Sequence, residues 1–216
     1  MTARMNSPRN SDTASTKKPN HEITSIKEAI IMPLTTTLNR IDAYALCPDG
    51  QARLSRLLSA FGKTETDDEP LPYARIVEIT GFEDTLAACP IEPRYAKKWR
   101  LFAIWCARRV ERLMDDPRSK AALVVAERYA NGDATRKELQ AAWEAAYLAE
   151  KCSDDASAGY AAMSAMGAAR RDAPLAARDS ALYAMEAAEW ADVDDASAAR
   201  REMAAQKAKF LEIVRA

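Results

Sequence analysis

The stretch YAKKWRLFAIWCARRVERLM, Tyr95 to Met114, decides the fold. Within it Tyr95, Trp99, Phe102, Cys106, Val110 and Leu113 recur at helical spacing, and Leu101, Ile104 and Trp105 widen the apolar stripe. A helix apolar over so much of its circumference belongs at the centre of a fold, touching neighbours on two sides.

Working toward the C-terminus, Asp116 before Pro117 reads as an N-cap and first-turn proline, opening a helix that carries Leu123, Val124, Val125 and Tyr129 and stops at Asn131-Gly132. Thr135 with Glu138 makes a capping box, and Leu139, Trp143, Ala146, Tyr147 and Glu150 trace the helix it opens. After Cys152 the chain is Ala-rich, with helices expected at about Asp154 to Arg170, Pro174 to Trp190 and Asp194 to Arg215. Tyr160, Met163 and Gly167 mark the first, Leu175, Leu182, Met185 and Trp190 the second, and Met203, Gln206, Phe210 and Val214 the third. Ala is the best helix former and a poor core filler, so these helices should pack closely as antiparallel hairpins around thin cores anchored by Trp, Met and Leu.

Toward the N-terminus the pattern is broken. Leu38, Ile41, Ala45 and Leu46 line one face, Pro48-Asp49-Gly50 reads as a break, and Leu54, Leu57, Leu58 and Phe61 make the next stripe before Gly62, placed as a C-terminal cap. An acidic loop from Thr64 to Glu69 follows, then Tyr73, Ile76, Val77 and Ile79, which suit a short helix or a strand, and Gly81. Residues 1–31 are rich in Ser, Thr, Asn, Lys and Pro and should form a disordered tail, closing with Ile23, Ile26, Ile30 and Ile31; Met32 is an alternative translation start. The expected fold is all-α: short N-terminal helices over 32–92 packed on a central helix, and a helical bundle over 93–216, or one continuous domain from 32 to 216.

At 216 residues the chain buries a core without disulfides or metals. With 31 basic and 32 acidic residues it has no global field to draw it onto nucleic acid or a membrane. Locally the balance is uneven. Arg94, Lys97, Lys98, Arg100, Arg108, Arg109, Arg112, Arg118 and Lys120 face only Glu111, Asp115 and Asp116. Two acidic segments compensate, one at Glu65, Asp67, Asp68 and Glu69 and one at Glu186, Glu189, Asp192, Asp194 and Asp195.

Catalysis is poorly served. The cysteines Cys47, Cys89, Cys106 and Cys152 lie far apart, the one histidine is His21 in the tail, and no Gly-rich phosphate loop occurs, so no metal, cofactor or redox centre is expected. Asp116 is explained as a cap, and Asp67-Asp68-Glu69 as a solvated loop. No apolar run approaches the ~20 residues of a membrane span, and a cytoplasmic protein with reduced thiols is expected.

Two surfaces invite a macromolecular partner. Arg108, Arg109 and Arg112, with Lys97, would project from the polar side of the central helix toward nucleic acid; the plainer alternative is that they are solvated or paired with the acidic segments, with Trp99 and Trp105 as core anchors. Trp190, Asp192, Asp194 and Asp195 would form an acidic docking edge with an aromatic anchor; the plainer alternative is a connector in which Asp194 or Asp195 caps the last helix.

The stretches Asp67 to Leu86 (DDEPLPYARIVEITGFEDTL) and Arg100 to Trp143 (RLFAIWCARRVERLMDDPRSKAALVVAERYANGDATRKELQAAW) resemble a group of uncharacterised phage and prophage proteins. The second stretch is more loosely similar to Ala-rich helical proteins described as immunity proteins. The resemblance runs from about Leu38 to Trp143 and carries over no catalytic or binding residues. It implies an α-helical, non-catalytic protein that binds and blocks a host defence effector, nuclease or toxin in the bacterial cytoplasm, with a homodimer through the Ala-rich helices as a further expectation. The rival expectations are a nucleic-acid-binding accessory protein and an enzyme whose site the spacing conceals.

Overall fold

The computed structural model describes residues 32–216, and the tail over 1–31, with its isoleucines and His21, lies outside the described residues. The described chain is all-α, with ten α-helices and one two-stranded ribbon. Thr36 in β1 (Thr35–Thr36) sits opposite Leu71 in β2 (Leu71–Pro72), antiparallel. Between them lie α1 (Leu38–Tyr44), capped by Thr37, and α2 (Pro48–Phe61). The expected break at Pro48-Asp49-Gly50 is instead the first turn of α2. Pro48 costs no hydrogen bond at that position, Asp49 suits the positive end of the helix, and Cys47 Sγ accepts the Gly50 N–H. Gly62 closes α2 at φ 62°, a left-handed cap that suits glycine.

The stretch from Tyr73 is the helix α3 (Tyr73–Thr80), followed by α4 (Phe82–Leu86) and the central α5 (Ala96–Arg109). That helix stops five residues before Met114, because Leu113 and Met114 bond back three residues in a tight 3-10 turn over Glu111–Leu113. Asp116 then caps α6 (Pro117–Asn131), Gly132 closes it, and the Thr135–Glu138 capping box opens α7 (Arg136–Lys151). The Ala-rich part folds as α8 (Ala156–Ala168), α9 (Ala173–Ala191) and α10 (Ala198–Arg215).

Phe210 of α10 lies flat against Trp99 of α5, with centroids 5.7 Å apart and planes 8° from parallel. Tyr73, Phe82 and Phe102 meet this pair edge-on, at 5.2 Å from Trp99 and at 5.7 Å and 5.5 Å from Phe210 respectively. Such pairs contribute about 0.5–1.5 kcal/mol each beyond the apolar area they remove from water. The anchors are therefore more aromatic than expected, and of the methionines among the described residues only Met114 and Met185 are buried. The same cluster holds residues from Leu34 to Val214, so the regions 32–92 and 93–216 share one core. Backbone bonds close it at the ends: Leu34 N–H donates to Val214 O, and Tyr73 N–H to Leu34 O.

On its other side α5 meets the antiparallel pair α8–α9. Ser164 Oγ donates to Ser180 O at 2.8 Å and Ser180 Oγ to Ser164 O at 2.9 Å, reciprocal bonds that only closely approaching helices allow. A Cβ at Gly167 would stand 2.8 Å from Ser180 Oγ and 3.0 Å from its backbone nitrogen. Ala161, Ala165, Ala168, Ala177, Ala181 and Ala184 are all buried. These faces are packed against one another within the chain.

Replacing Phe210 by Ala should cost about 3–5 kcal/mol of stability through the cavity left beside Trp99, and Gly167→Ala about 1–3 kcal/mol through overpacking. Urea unfolding of the two variants measures both, and losses below the precision of the method would mean that neither contact forms as described.

A candidate acidic and aromatic interface

Of the cations in the basic stretch Arg100 alone is buried. Arg100 is 2% exposed, and its guanidinium donates to the carbonyls of Ala168, Arg170 and Arg171 at 2.8, 2.7 and 2.9 Å while facing the Tyr129 ring at 5.1 Å. Those carbonyls stand at and just beyond the end of α8, where the helix dipole concentrates negative charge, so the cation is compensated without a carboxylate contact. Burial lowers the Arg100 pKa, yet arginine keeps its charge.

Arg108 forks onto Glu111 at 2.9 and 3.0 Å and reaches Glu127. Arg109 forks onto Glu202 of α10 at 2.8 and 2.9 Å with its guanidinium 5.0 Å from the Trp105 ring centre. Arg112 sits exposed in the 3-10 turn, beyond the end of α5. Of the expected row, Arg108 and Arg109 are thus engaged by carboxylates, while Lys97 and Arg112 are exposed without an ion pair among the described residues. The two acidic segments do not neutralise the row, since the partners are Glu111, Glu127 and Glu202.

The second predicted surface takes shape at the opposite termini of α8 and α9. Because these helices run antiparallel, the start of α8 lies beside the end of α9, and Trp190 stacks on Tyr160 with centroids 6.5 Å apart and planes 18° from parallel. Trp190 nevertheless stays 50% exposed. Asp192 and Asp194 are exposed in the turn after α9, and neither forms an ion pair among the described residues. On the Tyr160 side a recess of about 380 Å³ is lined by Glu150, Asp154, Asp155 and Met163. Asp154 likewise forms no ion pair among the described residues, whereas Glu150 meets Lys151. The signal that sequence reading missed is Tyr160, thirty residues before its stacking partner.

Asp195 behaves differently from its neighbours. Its carboxylate accepts from the Ser197 hydroxyl and N–H at 2.5 and 2.9 Å and pairs with Arg201 at 2.5 Å, which holds its pKa down at about 2. It shapes the turn before α10 and does not cap the helix, whose N-cap is Ser197. Asp155, the N-cap of α8, is also lowered, by the Ser157 hydroxyl and then the Ala158 N–H. Asp67, Asp116 and Glu138 are lowered by Lys63, Arg118 and the Thr135 N–H respectively. Every shifted carboxylate among the described residues is thus held in its charged form by local hydrogen bonds.

No helix of the described residues is long and apolar enough to cross a membrane, and no group of three or more His, Cys, Asp or Glu among them could hold a metal ion. No protein-family model, curated protein or solved structure matches the chain.

A carboxylate with a lowered folded pKa stabilises the fold above its unfolded pKa of about 3.9, and that contribution fades as the pH falls through the folded value. Melting temperature should therefore drop between about pH 4 and pH 2, and less steeply in Asp195→Asn than in the parent chain. Identical slopes for the two would mean that the Ser197 and Arg201 contacts do not form in solution.

Proposed function

We propose that the protein is a non-catalytic inhibitor of the phage-type or immunity-like class, acting in the bacterial cytoplasm by covering a basic surface on a defence effector, nuclease or toxin. One observation carries this reading: a half-exposed Trp190 stacked on Tyr160, flanked by Asp154, Asp192 and Asp194, whose carboxylates have no cationic partner among the described residues. A stacked indole is already ordered, so little side-chain entropy is lost when a partner covers it. Tryptophan is also among the residues that dominate binding energies at interfaces. The carboxylates around it supply complementarity to Lys and Arg and speed the encounter.

Nucleases and other nucleic-acid enzymes hold phosphates with Lys and Arg, so an acidic edge competes for the groups their substrate needs. The resemblance to phage and prophage proteins supports the same reading. A nucleic-acid-binding role gains less support, because Arg108 and Arg109 already hold carboxylates and the free carboxylates would repel a phosphate backbone.

The test is affinity capture from a phage-susceptible bacterial lysate, with nuclease treatment in parallel and mass spectrometry of the retained material. A single stoichiometric protein should survive nuclease and moderate salt. It should be retained by Arg112→Ala and lost from the Trp190→Ala, Asp192→Lys, Asp194→Lys triple variant, with Trp190→Ala alone weakening binding by about 2 kcal/mol. Capture of nucleic acid alone, lost with salt, or capture indifferent to the triple variant would contradict the proposal.

A further inference from the structure

Between α2, α4 and α9 lies a cleft of about 360 Å³ that shares no lining residue with the Tyr160–Trp190 end. We propose that it binds a small, singly charged aliphatic oxyanion, a carboxylate or phosphodiester carrying a short hydrocarbon chain. Its volume falls within the range of small-molecule sites, about 300–1,000 Å³.

The charged part of the argument rests on three guanidinium groups. Arg53 and Arg56, one turn apart on α2, both reach Asp84 of α4, Arg53 through Nη2 at 3.4 Å. Arg178, on the α9 wall, forms no ion pair among the described residues. The Arg53 side chain is only 13% exposed, and its Nε is buried with no hydrogen-bond partner. An oxyanion is the acceptor that suits the guanidinium N–H groups that Asp84 leaves free. Asp84 serves two of these cations and leaves most of their donors uncommitted.

Asp49 and Glu83 also line the cleft, so its formal charges balance at three of each sign. With no net field to draw in a polyanion, the anion is held locally, at the unpaired Arg178 guanidinium. The apolar part comes from Leu86, Leu182 and Met185. On α9, Arg178, Leu182 and Met185 follow one another at helical spacing, which sets the cation at one end of an aliphatic strip. Leu182 is 41% exposed within that strip, an uncovered surface for a hydrocarbon chain. No aromatic ring lines the cleft, so stacking on a base or ring contributes nothing there.

Calorimetric titration of the full chain with octanoate, beside acetate and inorganic phosphate, tests the proposal. Octanoate should bind with Kd of about 0.1–1 mM, at least tenfold more tightly than acetate or phosphate. Arg178→Ala, at an exposed and unpaired position, should weaken it about tenfold. Leu182→Ser should bring octanoate close to acetate. Trp190→Ala should leave the titration unchanged, which separates this cleft from the partner surface. No binding, equal binding of acetate and octanoate, or affinity unaltered by Arg178→Ala in a chain with parental circular dichroism would overturn the assignment.

Discussion

Trp99 and Arg100 are neighbours in sequence and therefore point about 100° apart on a helix. That divergence holds the molecule together. Trp99 receives Phe210 and Tyr73, joining α10 and the short N-terminal helices to α5. Arg100 receives the carbonyls at the end of α8 and in the turn leading into α9, joining the Ala-rich hairpin to the same helix. Small side chains contribute little burial per residue, so the α8–α9 pair depends on close backbone approach and on polar anchors such as Arg100 and the Ser164–Ser180 bonds. A lysine at 100 would present one compact charge in place of a planar fork spanning three carbonyls.

This arrangement sorts charge in space. Arg100, Arg108 and Arg109 are spent inside the chain on carbonyls, Glu111, Glu127 and Glu202. Glu202 extends the internal network, since it accepts from Gln206, which also donates to Ala181 O. Among the carboxylates left without cations are Asp154, Asp192 and Asp194, which stand beside Trp190 at the end of the hairpin. Near-neutral net charge thus conceals an acidic edge, and nothing in the total of 31 basic and 32 acidic residues distinguishes this sorting from an even spread.

Much of the fold was legible in the sequence where the determining chemistry is local. Asp116-Pro117, Asn131-Gly132, the Thr135–Glu138 box and Gly62 each act within one helical turn, and each stands where the pattern placed it. Pro48 misled because proline punctuates both breaks and first turns. The candidate site was half legible: Trp190, Asp192 and Asp194 could be read as an exposed edge, but Tyr160 joins them only through the antiparallel pairing of α8 and α9. Arg109 meets Glu202 across 93 residues and Arg100 meets Ala168 across 68, separations that no local pattern encodes. One clue to Arg100 was present, since Ala103, Ile104 and Ala107, its neighbours one and two turns on, mark its face as apolar.

Trp190, Asp192 and Asp194 thus stand exposed at one end of the Ala-rich hairpin, the surface proposed to meet a basic partner. Hydrogen-exchange mapping of the chain bound to the protein it captures addresses this most directly. The account predicts new protection at residues 154–163 and 186–195, with exchange over 108–112 unchanged. Protection centred on 108–112, with the Trp190 turn exchanging as in the free chain, would contradict it.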